Sequence, residues 1–258
     1  MMISNREIVH KMIKESIGKE YNERLTKKEM KKVRNLDLAA MEISDESLKF
    51  IKDLTEIETL FLDGTWITGS GLKYLKKFSR LKRLYLFRTR VNDRGLIAFK
   101  SLKNLDSLEV LSLAETRISN SGLNHIKHLT TLKDLDISHN SVSDKGIKYV
   151  TNFTALQVLN LSGTQLTDMG MRYIKELPVL QILYLSDTDI SDEGLSEIRG
   201  LPRLEMLYLD GTKVSNRSLD YLRLMKSLNW LSLYDTNVTK NGMAELQKDL
   251  PDCVILDR

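Results

Sequence analysis

One pattern of residues recurs along this chain at a fixed interval, and that interval limits the possible folds more than any other feature. Ile57, Leu81, Leu108, Leu132, Leu156, Leu180, Leu204 and Leu228 each open a unit of the form L-x-x-L-x-L-x-x-T-x-[I/V/L]-x-x-x-G-[L/I/M]. The spacing is 24 residues at every step except 81 to 108, where it is 27. A unit this short cannot bury its apolar side alone, so successive units have to stack. Residues 33–56 read as a degenerate first unit and 253–258 as a stub of one more strand. A length of 258 residues is compatible with one domain or two. Uninterrupted repetition favours one: a segment 1–32, then a solenoid over 33–258 with one degenerate repeat, eight full repeats and the stub, folding as a single domain.

Within a unit the period of the apolar residues changes. In "LQILYLSDT" Leu180, Leu183 and Leu185 frame a short strand, and Leu195, Ile198 and Leu201 then recur at helical spacing. Strand, turn, helix and return make one coil. Stacked coils put their strands in a parallel sheet at about 4.8 Å spacing, with bulkier helices outside that bend the stack into an arc. Gly71, Gly95, Gly122, Gly146, Gly170, Gly194 and Gly242 fall just before the helix, where a side chain would crowd the neighbouring coil. Asp93, Asp144, Asp168 and Asp192, two residues earlier, are expected to cap the helices. Thr65, Thr89, Thr116, Thr164, Thr188, Thr212 and Thr236, with Asn140 in the remaining unit, form a column whose hydroxyls are expected to bond along the stack and satisfy buried backbone.

These residues resemble the leucine-rich repeat. The T-x-[I/V]-[S/T]-[D/N]-x-G-[L/I/M] ending resembles a bacterial subclass with helical outer faces, similar in shape to ribonuclease-inhibitor-like horseshoes. The match spans about nine-tenths of the chain and recurs in eight consecutive units. It implies an α/β fold: a right-handed leucine-rich-repeat solenoid, or horseshoe, with a parallel inner sheet and outer helices. "REIVHKMIKESIGKEYNERLTKKEMKKVRNLDL" resembles the helical N-terminal cap of such proteins, and "LPDCVI" their usual last line. Two departures are Ser218 in the glycine column and the extra residues of "SLKNLDS", expected to enlarge one outer loop or helix.

Several functional classes lack support. No phosphate loop, dinucleotide fingerprint or zinc-ligand spacing is present, so neither a cofactor nor a metal is expected. His10, His125, His128 and His139 are dispersed, and Leu123, Ile126 and Leu129 claim the buried side of their helix, turning His125 and His128 toward solvent. Asp136 and His139 could be neighbours on the inner face, but no nucleophile matches them. The lone Cys253 rules out an intramolecular disulfide. Residues 1–33 hold nine basic and five acidic residues, and the remaining thirty of each sign cancel. A nucleic-acid reader would carry its basic stripe along the binding surface, so nucleic acid is not an expected partner. No run of eighteen apolar residues occurs and the first residues are too charged for a signal-peptide core, so membrane insertion is not expected and the cytoplasm is the default. A leader removed beforehand would leave the same pattern.

The variable positions are what could recognise a partner. With positions one, four and six pointing inward, positions three, five, seven and eight face the inside of the arc. In the first half these include Phe61, Tyr85, Phe87 and Arg88, with Arg83, and with Trp66, Arg90 and Arg117 on the rim. In the middle they shrink to residues such as Ser112, Ala114, Ser138 and Gly163. In the last three units they become Ile182, Tyr184, Met206, Tyr208, Trp230 and Tyr234 among Asp187, Asp210 and Asp235, with Asp189 on the rim. The expected function is a non-catalytic module that binds a protein or peptide on this face, as a monomer. One alternative is a structural protein that self-associates through its terminal edge, giving an edge-mediated dimer. Another is a metal binder or enzyme built on Asp134, Asp136 and His139.

Overall fold

Because alternate residues of a strand point to opposite sides, the leucines that open each unit have only the interior to fill. They do so throughout: Leu81, Leu84 and Leu86, and likewise Leu180, Leu183 and Leu185, are fully buried. The computed structural model describes residues 4–20, 22–102 and 105–257. Among the described residues ten three-residue strands, parallel to the strands they pair with inside each unit, alternate with helical segments, which makes the chain an α/β solenoid. It divides into two compact units, Met1–Ile118 and Ser119–Arg258.

The first unit holds β1 (Asn35–Asp37), β2 (Thr59–Phe61), β3 (Arg83–Tyr85) and β4 (Val110–Ser112), paired in chain order. A helix at Asn5–Ser16, closed by a capping box between Ser4 and Glu7, lays the fully buried Val9 and Ile13 against β1 and the turn Asp45–Phe50. The return segments Asp45–Phe50 and Gly71–Lys77 are 3-10 helices. Of the expected insertion in "SLKNLDS", Lys103 and Asn104 lie outside the described residues.

The second unit holds β5 (Asp134–Asp136), β6 (Val158–Asn160), β7 (Ile182–Tyr184), β8 (Met206–Tyr208), β9 (Trp230–Ser232) and β10 (Val254–Leu256). These also pair in chain order. Here several return segments are α-helices, among them Asn120–Ile126, Asp168–Ile174 and Asp192–Ile198.

The polar columns behave differently from the sequence expectation. Asp144, Asp168 and Asp192 do not cap their own helices; Ser143, Thr167 and Ser191, one residue earlier, occupy the cap position. Each aspartate reaches forward to the next coil and holds its cap residue by two bonds. Asp168 Oδ1 accepts Ser191 N at 2.8 Å and its Oδ2 accepts Ser191 Oγ at 2.6 Å. Asp144 does the same with Thr167, Asp192 with Ser215, and Asp45 in the first unit with Thr68. Asp93 likewise follows its cap, Asn92, whose side chain accepts Gly95 N. These latches explain the glycine column, since a Cβ on Gly194 would lie 2.3 Å from Asp168 Oδ1 and one on Gly170 2.6 Å from Asp144 Oδ1.

The threonines correct a second expectation. The bonds these hydroxyls donate run within their own coil and not along the stack. Thr188 Oγ1 donates to Leu185 O, three residues back in its own coil, and Thr65, Thr89, Thr116, Thr164, Thr212 and Thr236 repeat that bond. The reason is reach: the tight turn, closed by bonds such as Thr65 N to Leu62 O and Thr164 N to Leu161 O, sets that same carbonyl beside the hydroxyl, nearer than the next coil. Asn140 Nδ2 serves the same turn with two bonds, to Ile137 O at 3.2 Å and Ser138 O at 3.0 Å.

Candidate functional site

The side of the sheet away from the helices is where the variable residues gather, and strand register fixes who meets whom. In the second unit one row runs Asp134, Val158, Ile182, Met206, Trp230, Val254 and the row beside it Asp136, Asn160, Tyr184, Tyr208, Ser232, Leu256. Adjacent strands lie about 4.8 Å apart, a spacing that lets flat side chains stack. Tyr184 and Tyr208 do, with centroids 4.4 Å apart and planes 16° from parallel. Ile182, Met206 and Trp230 are each half-buried beside them, and Trp230 Nε1 is buried without a hydrogen-bond partner. Val254, 46% exposed, continues the apolar row onto β10. The sequence reads 253–258 as a stub of one more strand without marking it as part of the face, although its register with Trp230 follows from the same 24-residue period.

The acidic residues divide by role. Asp187 and Asp235 are exposed, each on a left-handed turn with φ of 55° and 51°. Asp210 is instead committed internally: its Oδ1 accepts Tyr234 N at 2.9 Å and Ser232 Oγ at 2.5 Å, and its Oδ2 accepts Ser186 Oγ at 3.3 Å. It ties neighbouring coils together, so it is not the free surface charge expected of it. Tyr234 is thereby held at the backbone, with its ring half-buried. Burial and the repulsion of Asp136 raise the Asp134 carboxyl above its ordinary range. Burial also raises the Tyr184 phenol, with Tyr208, Asp134 and Asp136 adding to it.

The first unit carries a smaller cluster. Phe61 and Tyr85 stack at 4.7 Å with planes 8° apart. The Arg88 guanidinium lies 4.8 Å from the Phe87 ring and forks onto Glu115, with Nε–Oε2 at 2.6 Å and Nη2–Oε1 at 3.1 Å. That pairing leaves Arg88 less available to a partner than its exposed position suggests. Trp66 is 47% exposed beside Arg90, and Arg117 is exposed farther along the rim. In the middle of the chain Ser112, Ala114 and Ser138 are buried, so they offer nothing to a partner.

Two of the three residues of the catalytic or metal reading have other employment. Asp136 Oδ1 accepts Ser138 N and Ser138 Oγ, and His139 covers Gly163, where an added Cβ would meet its ring at 2.3 Å. Burial lifts the Cys253 thiol to about 11, far from a nucleophile's range. Among the described residues no three His, Cys, Asp or Glu side chains are grouped to hold a metal ion, and no helix is long and apolar enough to cross a membrane.

Two family models describing leucine-rich repeats match the chain, one over residues 154–214 and one over 128–150. The chain carries leucine-rich repeats over those residues. Solved leucine-rich-repeat structures share its fold. Internalin C2 of Listeria monocytogenes aligns over 97% of this chain and 92% of its own at 18% identity, with a TM-score of 0.58. A Leptospira interrogans leucine-rich-repeat protein, LIC12759, aligns over 88% of this chain and 62% of its own at 22% identity and a TM-score of 0.64. The plant peptide hormone receptor RGFR1, in complex with RGF2, aligns over 86% and 35% at 17% identity and a TM-score of 0.55. No curated protein matches in sequence. Leucine-rich repeats typically serve as protein-interaction modules and are generally not catalytic, because the stacked coils offer a long, stiff surface of variable side chains.

Proposed function

We propose that this leucine-rich-repeat protein is a non-catalytic interaction module that binds a protein or peptide on the strand face of its second unit. The observation that carries the reading is the contiguous patch of Ile182, Tyr184, Met206, Tyr208, Trp230 and Val254 on four successive strands. Strand propensity alone puts aromatic residues in sheets, but it does not gather them into two adjoining rows. Contiguous apolar surface marks contact sites, and interfaces concentrate their energy in a few Trp, Tyr and Arg anchors. The stacked Phe61 and Tyr85, with Phe87 and Arg88, form a second, smaller contact surface on the first unit. A plant peptide hormone receptor of similar fold is in complex with RGF2, which agrees with a peptide-binding role.

Testing it requires a ligand and matched variants. Peptides selected from a random phage-displayed library on the intact protein should bind about 30-fold more weakly to Tyr208→Ala and to Trp230→Ala, the loss of an anchor being about 2 kcal/mol. Lys148→Ala and Lys175→Ala, on the helical side, should leave affinity unchanged, with all four variants folded by circular dichroism. Binding lost in the lysine variants and kept in the aromatic ones would move the working surface to the helices.

A further inference from the structure

We propose that the strand face of the second unit accepts an extended segment bearing an arginine or lysine three or four residues from an apolar or aromatic side chain. This deepens the binding role argued above and rests on it. From Asp134 to Leu256 the positions on this face hold Asp134, Asp136, Asp187, Asp210 and Asp235 but no lysine or arginine. On the rim, Asp189 is already neutralised by Lys213 at 2.6 Å. Asp134 is different: it is half-buried, makes no hydrogen bond or ion pair among the described residues, and is pushed by the like charge of Asp136. A carboxylate in that condition gains from an incoming cation more than an exposed one does, because part of its desolvation is already incurred.

The apolar rows supply the second half of the recognition. Asp136 leads through Asn160 to Tyr184, whose ring stacks on Tyr208, so a guanidinium lying over β6 would have carboxylates on one side and an aromatic ring on the other. Met206 and Trp230 stand two and three strands beyond β6, about 10–14 Å away. An extended segment covers that distance in three or four residues at about 3.3 Å each. Charge alone would draw any basic segment; the fixed offset between the acidic corner and the Met206–Trp230 surface sets the spacing.

The experiment uses the intact chain and the same random-peptide selection, read now by sequence. Recovered peptides should be enriched in arginine or lysine three or four residues from Trp, Phe, Leu or Met. A synthetic copy should bind Asp134→Asn/Asp136→Asn about tenfold or more weakly, as loss of a paired charge predicts, while still depending on Trp230. Asparagine retains an oxygen for the Ser138 bonds; should the double variant unfold, Asp134→Asn alone, which loses no hydrogen bond, serves instead. Peptides that are acidic or lack a basic residue, an absence of selected peptides, self-association of the chain in place of peptide binding, or wild-type affinity in the asparagine variants would each overturn the proposal. If Tyr208→Ala and Trp230→Ala also bind normally, the failure lies with the binding face itself.

Discussion

Gly95→Ala should destabilise the first unit by about 3 kcal/mol or more, the upper range for forcing extra volume into packed structure. A Cβ on Gly95 would lie 2.5 Å from the Gly69 Cα, and one on Gly69 only 1.7 Å from the Gly95 Cα. Both obstacles are backbone, so no side-chain rotation relieves them. Gly69 occupies the column that elsewhere carries a latch aspartate, and without that side chain the two coils close onto each other. Gly170→Ala meets the ends of two side chains instead, Leu166 Cδ1 at 2.3 Å and Asp144 Oδ1 at 2.6 Å, and because side-chain ends can shift it should be milder. Gly200→Ala meets nothing within 4 Å and should be neutral or stabilising by about 0.5 kcal/mol, because alanine restricts the unfolded chain. Urea midpoints at constant slope give the ranking Gly95, Gly170, Gly200. Equal midpoints for Gly95→Ala and Gly200→Ala would show that the coils have room to separate.

Deleting residues 1–32 should abolish cooperative unfolding and produce concentration-dependent aggregation. Removal of Val9 and Ile13 alone forfeits about 3–5 kcal/mol of apolar burial. It also uncovers Leu36 and the turn around Phe50, against which His10 packs edge-on at 6.0 Å. The Ser4–Glu7 and Thr26–Glu29 capping boxes and the Lys19–Glu29 ion pair show that this segment is itself well formed. Without it β1 would offer open backbone groups to any passing strand. Sedimentation velocity and urea unfolding of the truncated chain decide the matter: a monomer with an unchanged midpoint would make the segment an appendage.

What the sequence disclosed, and what it hid, follows from the range of each interaction. The leucine columns are legible because burial depends only on a residue's own position in the coil. Asp168 was misread because a helix cap and a latch look alike locally; the deciding partner, Ser191, lies 23 residues away. The threonine bond was misread for the opposite reason, being more local than a column suggests. Ala40, Arg88, Glu115, His139, Asp187 and Asp235 share a left-handed turn with Gly64, Gly163 and Gly211. Three glycines in that column were the available signal, diluted by six residues of other types. The period alone puts Tyr184, Tyr208 and Trp230 on one face of the sheet, since facing depends only on strand phase. It could not show that Asp210 is spent on Ser232 and Tyr234, nor that Arg88 is paired with Glu115, because those depend on side-chain reach between coils. Nothing in the repeat marks the division after Ile118 apart from the longer unit that precedes Leu108.

The two tryptophans give the most direct test of where a partner sits, since Trp66 belongs to the first unit and Trp230 to the patch on the second. Trp66→Phe leaves Trp230 as the sole reporter, and Trp230→Phe leaves Trp66. A selected peptide titrated into Trp66→Phe should shift the emission of Trp230 saturably, at the concentration where binding occurs, while the emission of Trp230→Phe stays unchanged. A response from Trp66 with none from Trp230 would contradict a binding face on the second unit.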